Sequence, residues 1–111
     1  MKNYELVQLG DLAAVPCPCG FSRRAFTDSG VASAHLVDIA AGAHTHYHTR
    51  LTEVYVILEG EGFLELDGEK VPVRPLTAVM IRPGCRHRAL GAMRILNVVT
   101  PPFDPADERH D

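Results

Sequence analysis

The chain has no tryptophan, few aromatic residues (6% of 111) and only three cysteines, an odd number. Without a secretory leader, so few thiols do not make a disulfide framework. The N-terminus, Met1-Lys2-Asn3-Tyr4-Glu5, lacks the apolar stretch such a leader needs. Apolar runs of membrane-spanning length are missing too, because Asp38, Glu59, Arg74 and Arg94 interrupt the candidates. Nor is there a surplus of positive charge. Eleven Lys and Arg against fourteen Asp and Glu leave a net charge of −3, which argues against nucleic acid as the main partner. Low-complexity segments, internal repeats and a sustained helical period are all absent. The expectation is a cytoplasmic protein with neither membrane nor nucleic-acid partner. Its length suits a single domain, 1–111, long enough to bury a core.

What is present is the punctuation of a β protein. Tyr4 to Leu12 reads as a first strand. Val15-Pro16-Cys17-Pro18-Cys19-Gly20 reads as a loop, since two prolines and a glycine oppose a regular ladder. Strands are predicted over 21–27, 33–40, 53–58, 63–67, 70–73, 78–82, 86–90 and 93–100. Glycine- or proline-bearing turns separate them, among them Ala41-Gly42, the hairpin signal Asp67-Gly68, and Pro83-Gly84. Pro101-Pro102 closes the sheet, and the polar tail Phe103–Asp111 is expected to be loose unless Phe103 anchors it. Many short strands at this spacing imply an all-β sandwich or barrel, with its core in about 21–100.

The chemistry concentrates in His46-Tyr47-His48, Glu53 and the later Pro83-Gly84-Cys85-Arg86-His87. On an extended chain alternate side chains share a face, so His46 and His48 point the same way. A short loop over Thr49–Thr52 would bring Glu53 onto a second strand beside the first. Two imidazoles and a carboxylate, joined by His87, are a usual ligand set for a divalent transition metal. Three neutral imidazoles and one carboxylate leave an M²⁺ ion with about one net positive charge. His44 shares the parity of His46 and His48, and is either a neighbour of the ligands or a residue at the mouth of the site.

The pattern H-x-H-x4-E-x6-G over 46–60, followed by P-G-x2-H over 83–87, resembles the two motifs of the cupin superfamily. The resemblance spans about residues 31–100. The framing departs at Ala40, Arg82 and Gly91, where the family usually has Gly, Pro and Asn, while all four ligand positions are kept. It implies a double-stranded β-helix, the jelly-roll cupin barrel, with His46, His48, Glu53 and His87 as metal ligands. The metal would be Fe, Mn, Ni, Co, Cu or Zn, and the partner a small-molecule substrate or ligand. The family includes dioxygenases, isomerases, epimerases, decarboxylases and cyclases. Frequency within it inclines the reading slightly toward a dioxygenase. A non-catalytic barrel that binds or senses a small ligand is the alternative. The family also commonly dimerises through an N-terminal strand, so a homodimer is expected, using the chain before Pro16.

Other residues are weighed against plainer roles. Tyr55 shares the face of Glu53 and is a candidate, with His44, for moving a proton; the plainer role is barrel filling. Glu53, Tyr55 and Ile57 should face the metal, and Val54, Val56 and Leu58 an apolar layer on the other side. Cys17 and Cys19 lack the spacing of a redox or zinc pair, and Cys85 reads as a small turn residue. Arg86 and Arg88 have the opposite parity to His87 and should face away from the metal. Arg23 and Arg24 also alternate, so that one of them could reach the pocket and meet a substrate carboxylate or phosphate; the plainer role of these arginines is a solvated or interface face.

Overall fold

The computed structural model describes residues 2–40 and 43–111; the expected Ala41-Gly42 turn lies outside them. Among the described residues nine strands form: β1 (Val15–Cys17), β2 (Gly20–Ala25), β3 (Ser33–Ile39), β4 (Thr52–Gly60), β5 (Gly62–Leu66), β6 (Glu69–Val73), β7 (Ala78–Ile81), β8 (His87–Leu90) and β9 (Met93–Thr100). They make two antiparallel sheets, one in the order β1-β2-β3-β9-β4-β7 and one in the order β6-β5-β8. Closed face to face, they form a small jelly-roll barrel. Among the described residues no helix is long and apolar enough to cross a membrane.

Local chemistry explains most of the turns. Asp67 (φ 48°) and Gly68 (φ 83°) make the β5–β6 hairpin with both central residues at positive φ, the geometry that matches strand twist. Gly20 (φ 150°) starts β2 hard against β3, where a Cβ would lie 2.1 Å from the Asp38 carbonyl oxygen. Only glycine fits there.

Two sequence expectations fail at the N-terminus. Tyr4–Leu12 is not a strand; it runs irregularly into a 3-10 turn at Leu9–Asp11. Val15–Cys17, expected as loop, pairs with β2 (Val15↔Ser22, Pro16↔Phe21). β1 is the outermost strand of its sheet, so Pro16 can lack an N–H there without breaking a ladder on both sides.

One end of the barrel is filled by Ile39, Ile57, Leu64, Val73, Ala89, Met93 and Ile95. Complete burial of a side chain such as Ile57 is worth about 1.5–3 kcal/mol. The other end holds polar side chains. β4 carries both: Ile57 enters the core, while Glu53 and Tyr55 line the polar end. The opposite face of β4 is not covered by a second layer as its apolar pattern suggested. Val54 and Val56 are half-buried there and Leu58 is exposed.

Candidate metal centre

The histidine-bearing segment does not pair with β4, whose two edges are occupied by β9 and β7. Instead it lies along the free edge of β8. Ala43 N–H donates to the Ala89 carbonyl (3.3 Å), and His46 and His87 exchange both backbone hydrogen bonds (3.1 and 2.9 Å). Glu53 therefore meets the histidines across the barrel, from the opposite sheet, and not from an adjacent strand. The expected residues converge all the same. Nitrogens of His46, His48 and His87 and an oxygen of Glu53 all lie within 4.8 Å of one another. His48, Glu53 and His87 are buried, and His46 is half-buried.

The ring orientations suit a cation. Each Nδ1 faces a backbone carbonyl: His46 that of His44 (3.0 Å), His48 that of Asp107 (3.0 Å), His87 that of Cys85 (2.9 Å). In the neutral rings Nδ1–H donates to those carbonyls, which leaves the three Nε2 lone pairs turned inward. They face Glu53, itself an acceptor. His48 Nε2 is 2.9 Å from Glu53 Oε1, yet it is buried without the alignment of a hydrogen bond. His87 Nε2 lies 3.0 Å from the same Glu53 oxygen, a hydrogen bond only when that nitrogen carries a proton; with each Nδ1 turned to a carbonyl, a divalent cation among the four groups would take the place of such a proton. The residues present thus fit a divalent metal.

Electrostatics agree. Burial pushes the Glu53 carboxyl up, but His48 and His87 outweigh it and hold it well below the usual carboxylate range. Burial, followed by the neighbouring His87, pushes His46 down. The second oxygen of Glu53 accepts from Asn97 Nδ2 at 2.6 Å, which fixes the carboxylate. Asn97 stands on β9, in register with Tyr55 and His35.

Beside the cluster opens a cavity of about 240 Å³. His44 lines it and is exposed, so it stands at the mouth, outside the four-residue group. Tyr55 lines it too, 6.1 Å from the His87 ring between centroids. Burial, with Glu53 nearby, raises its phenol well above the ordinary value. Among the described residues the Tyr55 hydroxyl makes no side-chain hydrogen bond. Of the paired arginines, Arg24 lines the cavity, while Arg23 faces out to the Leu12 carbonyl and Asp38. Arg86 and Arg88 turn away to Asp111 and Glu65.

Several residues here escaped the sequence reading. Cys17 and Cys19 are on the cavity wall with sulfurs 2.6 Å apart, and burial, reinforced by Cys17, pushes the Cys19 thiol up to about 12. Cys85 is not on that wall; its thiol contacts the Arg86 carbonyl. His35 lines the cavity, bonded to Ser33 Oγ (2.7 Å); burial, then Arg24, pushes it down to about 4. The tail is docked rather than loose. Tyr47 and Arg109 exchange two backbone hydrogen bonds, both 2.9 Å, which extends the small sheet beyond the histidine segment. The buried Asp107 carboxylate accepts from the amides of Thr49, Arg50 and Leu51. Glu108 is thereby brought into the cavity, 3.8 Å from His46 Nε2. Phe103 does anchor the tail, edge-on to His35 at 5.6 Å.

Residues 35–99, more than half of the chain, match the family model of the cupin domain. The chain belongs to the cupin family. A protein from Planctomyces limnophilus of known crystal structure is 42% identical, with 96% of each chain covered and a TM-score of 0.90. Pac13 from Streptomyces, described as a nucleoside dehydratase and also solved with uridine, is 21% identical. Its alignment covers 99% of this chain and 92% of that one at a TM-score of 0.86. Ectoine synthase from P. lautus is 24% identical, covering 93% and 82%, at 0.77. At these lower identities the likeness is one of fold. Among curated proteins, none matches the sequence.

Proposed function

We infer that this cupin is a metal-dependent enzyme acting on a small organic molecule, with His46, His48, Glu53 and His87 holding the metal. The bound M²⁺ would supply Lewis acidity toward an oxygen of the substrate. The chain's own residues do the rest. Tyr55 presents a protonated hydroxyl that makes no side-chain hydrogen bond among the described residues, and the carboxylate of Glu108 faces the same space. One can give a proton and the other take one. His44, at the mouth, is placed to exchange protons with solvent.

The observation that carries this reading is the unpartnered Tyr55 hydroxyl in the cavity beside the metal cluster. A donor and an acceptor lining one small cavity are what elimination, isomerisation or cyclisation requires. For that reason we set such proton-transfer chemistry ahead of the dioxygenase reaction that family frequency favoured. The nucleoside dehydratase and ectoine synthase among the fold neighbours support the choice.

The test has two parts. Metal analysis of protein purified without added metal or chelator should give near-stoichiometric metal, lost in the His46→Ala, His48→Ala double variant. A screen of hydroxy-acid, nucleoside and amino-acid-derived substrates should then give turnover without oxygen consumption. Metal-dependent oxygen uptake would move the assignment to a dioxygenase. Ligand-dependent thermal stabilisation with no turnover anywhere would leave a binding barrel. The reading also includes a homodimer, whose surface is considered below.

A further inference from the structure

We propose that Arg24 anchors a carboxylate of the substrate, so that the cavity takes a small organic acid, gripped at one end by the guanidinium and at the other by the metal centre. This rests on the reading above that the cavity is a substrate site. Six of the chain's arginines, Arg23, Arg50, Arg86, Arg88, Arg94 and Arg109, each have a carboxylate within ion-pair distance. Arg24 has none among the described residues, although it is partly buried and lines the cavity. No other Arg or Lys does so.

Its guanidinium is held ready. Nε donates to Ser22 Oγ at 2.8 Å, and the central carbon sits 5.0 Å from the centre of the Phe103 ring. With Nε bonded and one face covered by the aromatic, the two terminal nitrogens remain. Their parallel N–H groups match the two oxygens of one carboxylate. A phosphate fits less well, because a dianion would meet a single cation while sharing the cavity with Glu53 and Glu108.

Register sets the length of the ligand. Arg24, His35, Asn97 and Tyr55 are cross-strand partners in one row over β2, β3, β9 and β4. Three strand steps separate the first backbone from the last, roughly 14 Å. Both end side chains line the cavity, which shortens the gap to one that an acid of a few carbons spans. Val37, Ile39 and Ile95 offer its body an apolar wall.

The experiment uses butyrate and its neutral isostere butyramide, titrated by calorimetry and amide NMR shifts into the full chain, with and without metal. Butyrate should bind the chelator-treated wild type, and butyramide at least tenfold more weakly. Arg24→Gln should raise the butyrate Kd at least tenfold, Arg24→Lys several-fold, and Arg23→Gln not at all. Should Arg24→Gln fail to fold, the Arg24→Lys variant and the butyrate–butyramide contrast in wild type still decide. Equal binding of the two probes, or undiminished butyrate binding in Arg24→Gln, overturns the assignment. Binding to metal-loaded protein that survives Arg24→Gln but is lost in the His46→Ala, His48→Ala variant gives the carboxylate to the metal centre. That outcome overturns the Arg24 anchor and leaves the catalytic reading intact. Protein that takes up no metal but binds butyrate through Arg24 upholds the anchor and defeats the catalytic reading alone.

Discussion

At the level of single residues, the candidate metal cluster depends on side chains that differ in what they contribute. Glu53 brings the negative charge, and Asn97 only holds its second oxygen at 2.6 Å. Asn97→Ala should therefore leave a site that still binds metal, but about 10–100-fold more weakly, as is usual when a group orienting a ligand is lost. Competition with a chelator of known affinity measures this. Tyr55→Phe is the complementary change. It removes one oxygen that makes no side-chain hydrogen bond among the described residues, so metal content and Tm should hold while turnover falls by about 10²–10⁴. A Tyr55→Phe enzyme with full turnover would remove the phenol from the mechanism. The convergence of the four candidate ligands was legible in the sequence because parity and the Pro-Gly turn are local signals. Asn97, His35 and the choice of Arg24 over Arg23 were not, because they depend on which strand lies beside which. A chain of alternating residues does not state that register.

At the level of the element, the C-terminal tail is where composition misled most. Asp104-Pro105-Ala106-Asp107-Glu108-Arg109 has little apolar surface to bury, so it reads as loose. What holds it is a match of polar groups: the Asp107 carboxylate fills the concavity made by the amides of Thr49, Arg50 and Leu51, and its carbonyl takes the Nδ1–H of His48. Contacts between residues 56 to 59 apart leave no periodic trace. Asp107→Ala strands three amides, that of Leu51 buried and those of Thr49 and Arg50 partly so, and we expect a loss of about 1–3 kcal/mol, read from denaturant unfolding, together with weaker metal binding. Burial pushes the Asp107 carboxyl up, but the Thr49 hydroxyl and the three amides prevail and hold it well below its ordinary value. A carboxyl depressed in the folded state adds stability above its unfolded pKa, near 4, and loses it as pH falls toward the folded value. The stability difference between wild type and Asp107→Ala should thus be constant above about pH 5 and shrink below about pH 4. A difference independent of pH down to acid unfolding would mean that the charge of Asp107 is not what docks the tail. The same logic explains Val15–Cys17, where prolines hid a strand that only an edge position permits.

At the level of the whole molecule, the outer face of the large sheet is the feature the chain leaves unfinished. Val54 is flanked in register by Val98 and Met80, and Val56 by Leu96 and Ala78. Met80 and Val98 are exposed, as is Leu58. A soluble sheet normally alternates apolar with polar across its two faces, so an apolar outer face points to a partner layer. The N-terminal segment offers Tyr4, Leu6 and Val7, all exposed and in no sheet of their own. In the homodimer proposed above, these two apolar surfaces cover one another between copies, burying on the order of 1,200 Å² or more in total. Light scattering should then give twice the chain mass. A charge at the centre of the face is the sharper probe, because each copy would then bury its charge beneath the apolar N-terminal segment of the other. Val98→Asp should yield a folded monomer, or raise the dimer Kd at least a hundredfold, while Val98→Ala should not. Because Val98 points away from the cavity, metal content should be unchanged in both. A wild-type monomer at micromolar concentration would leave the face without its partner, and the exposed N-terminal residues without a place to bind.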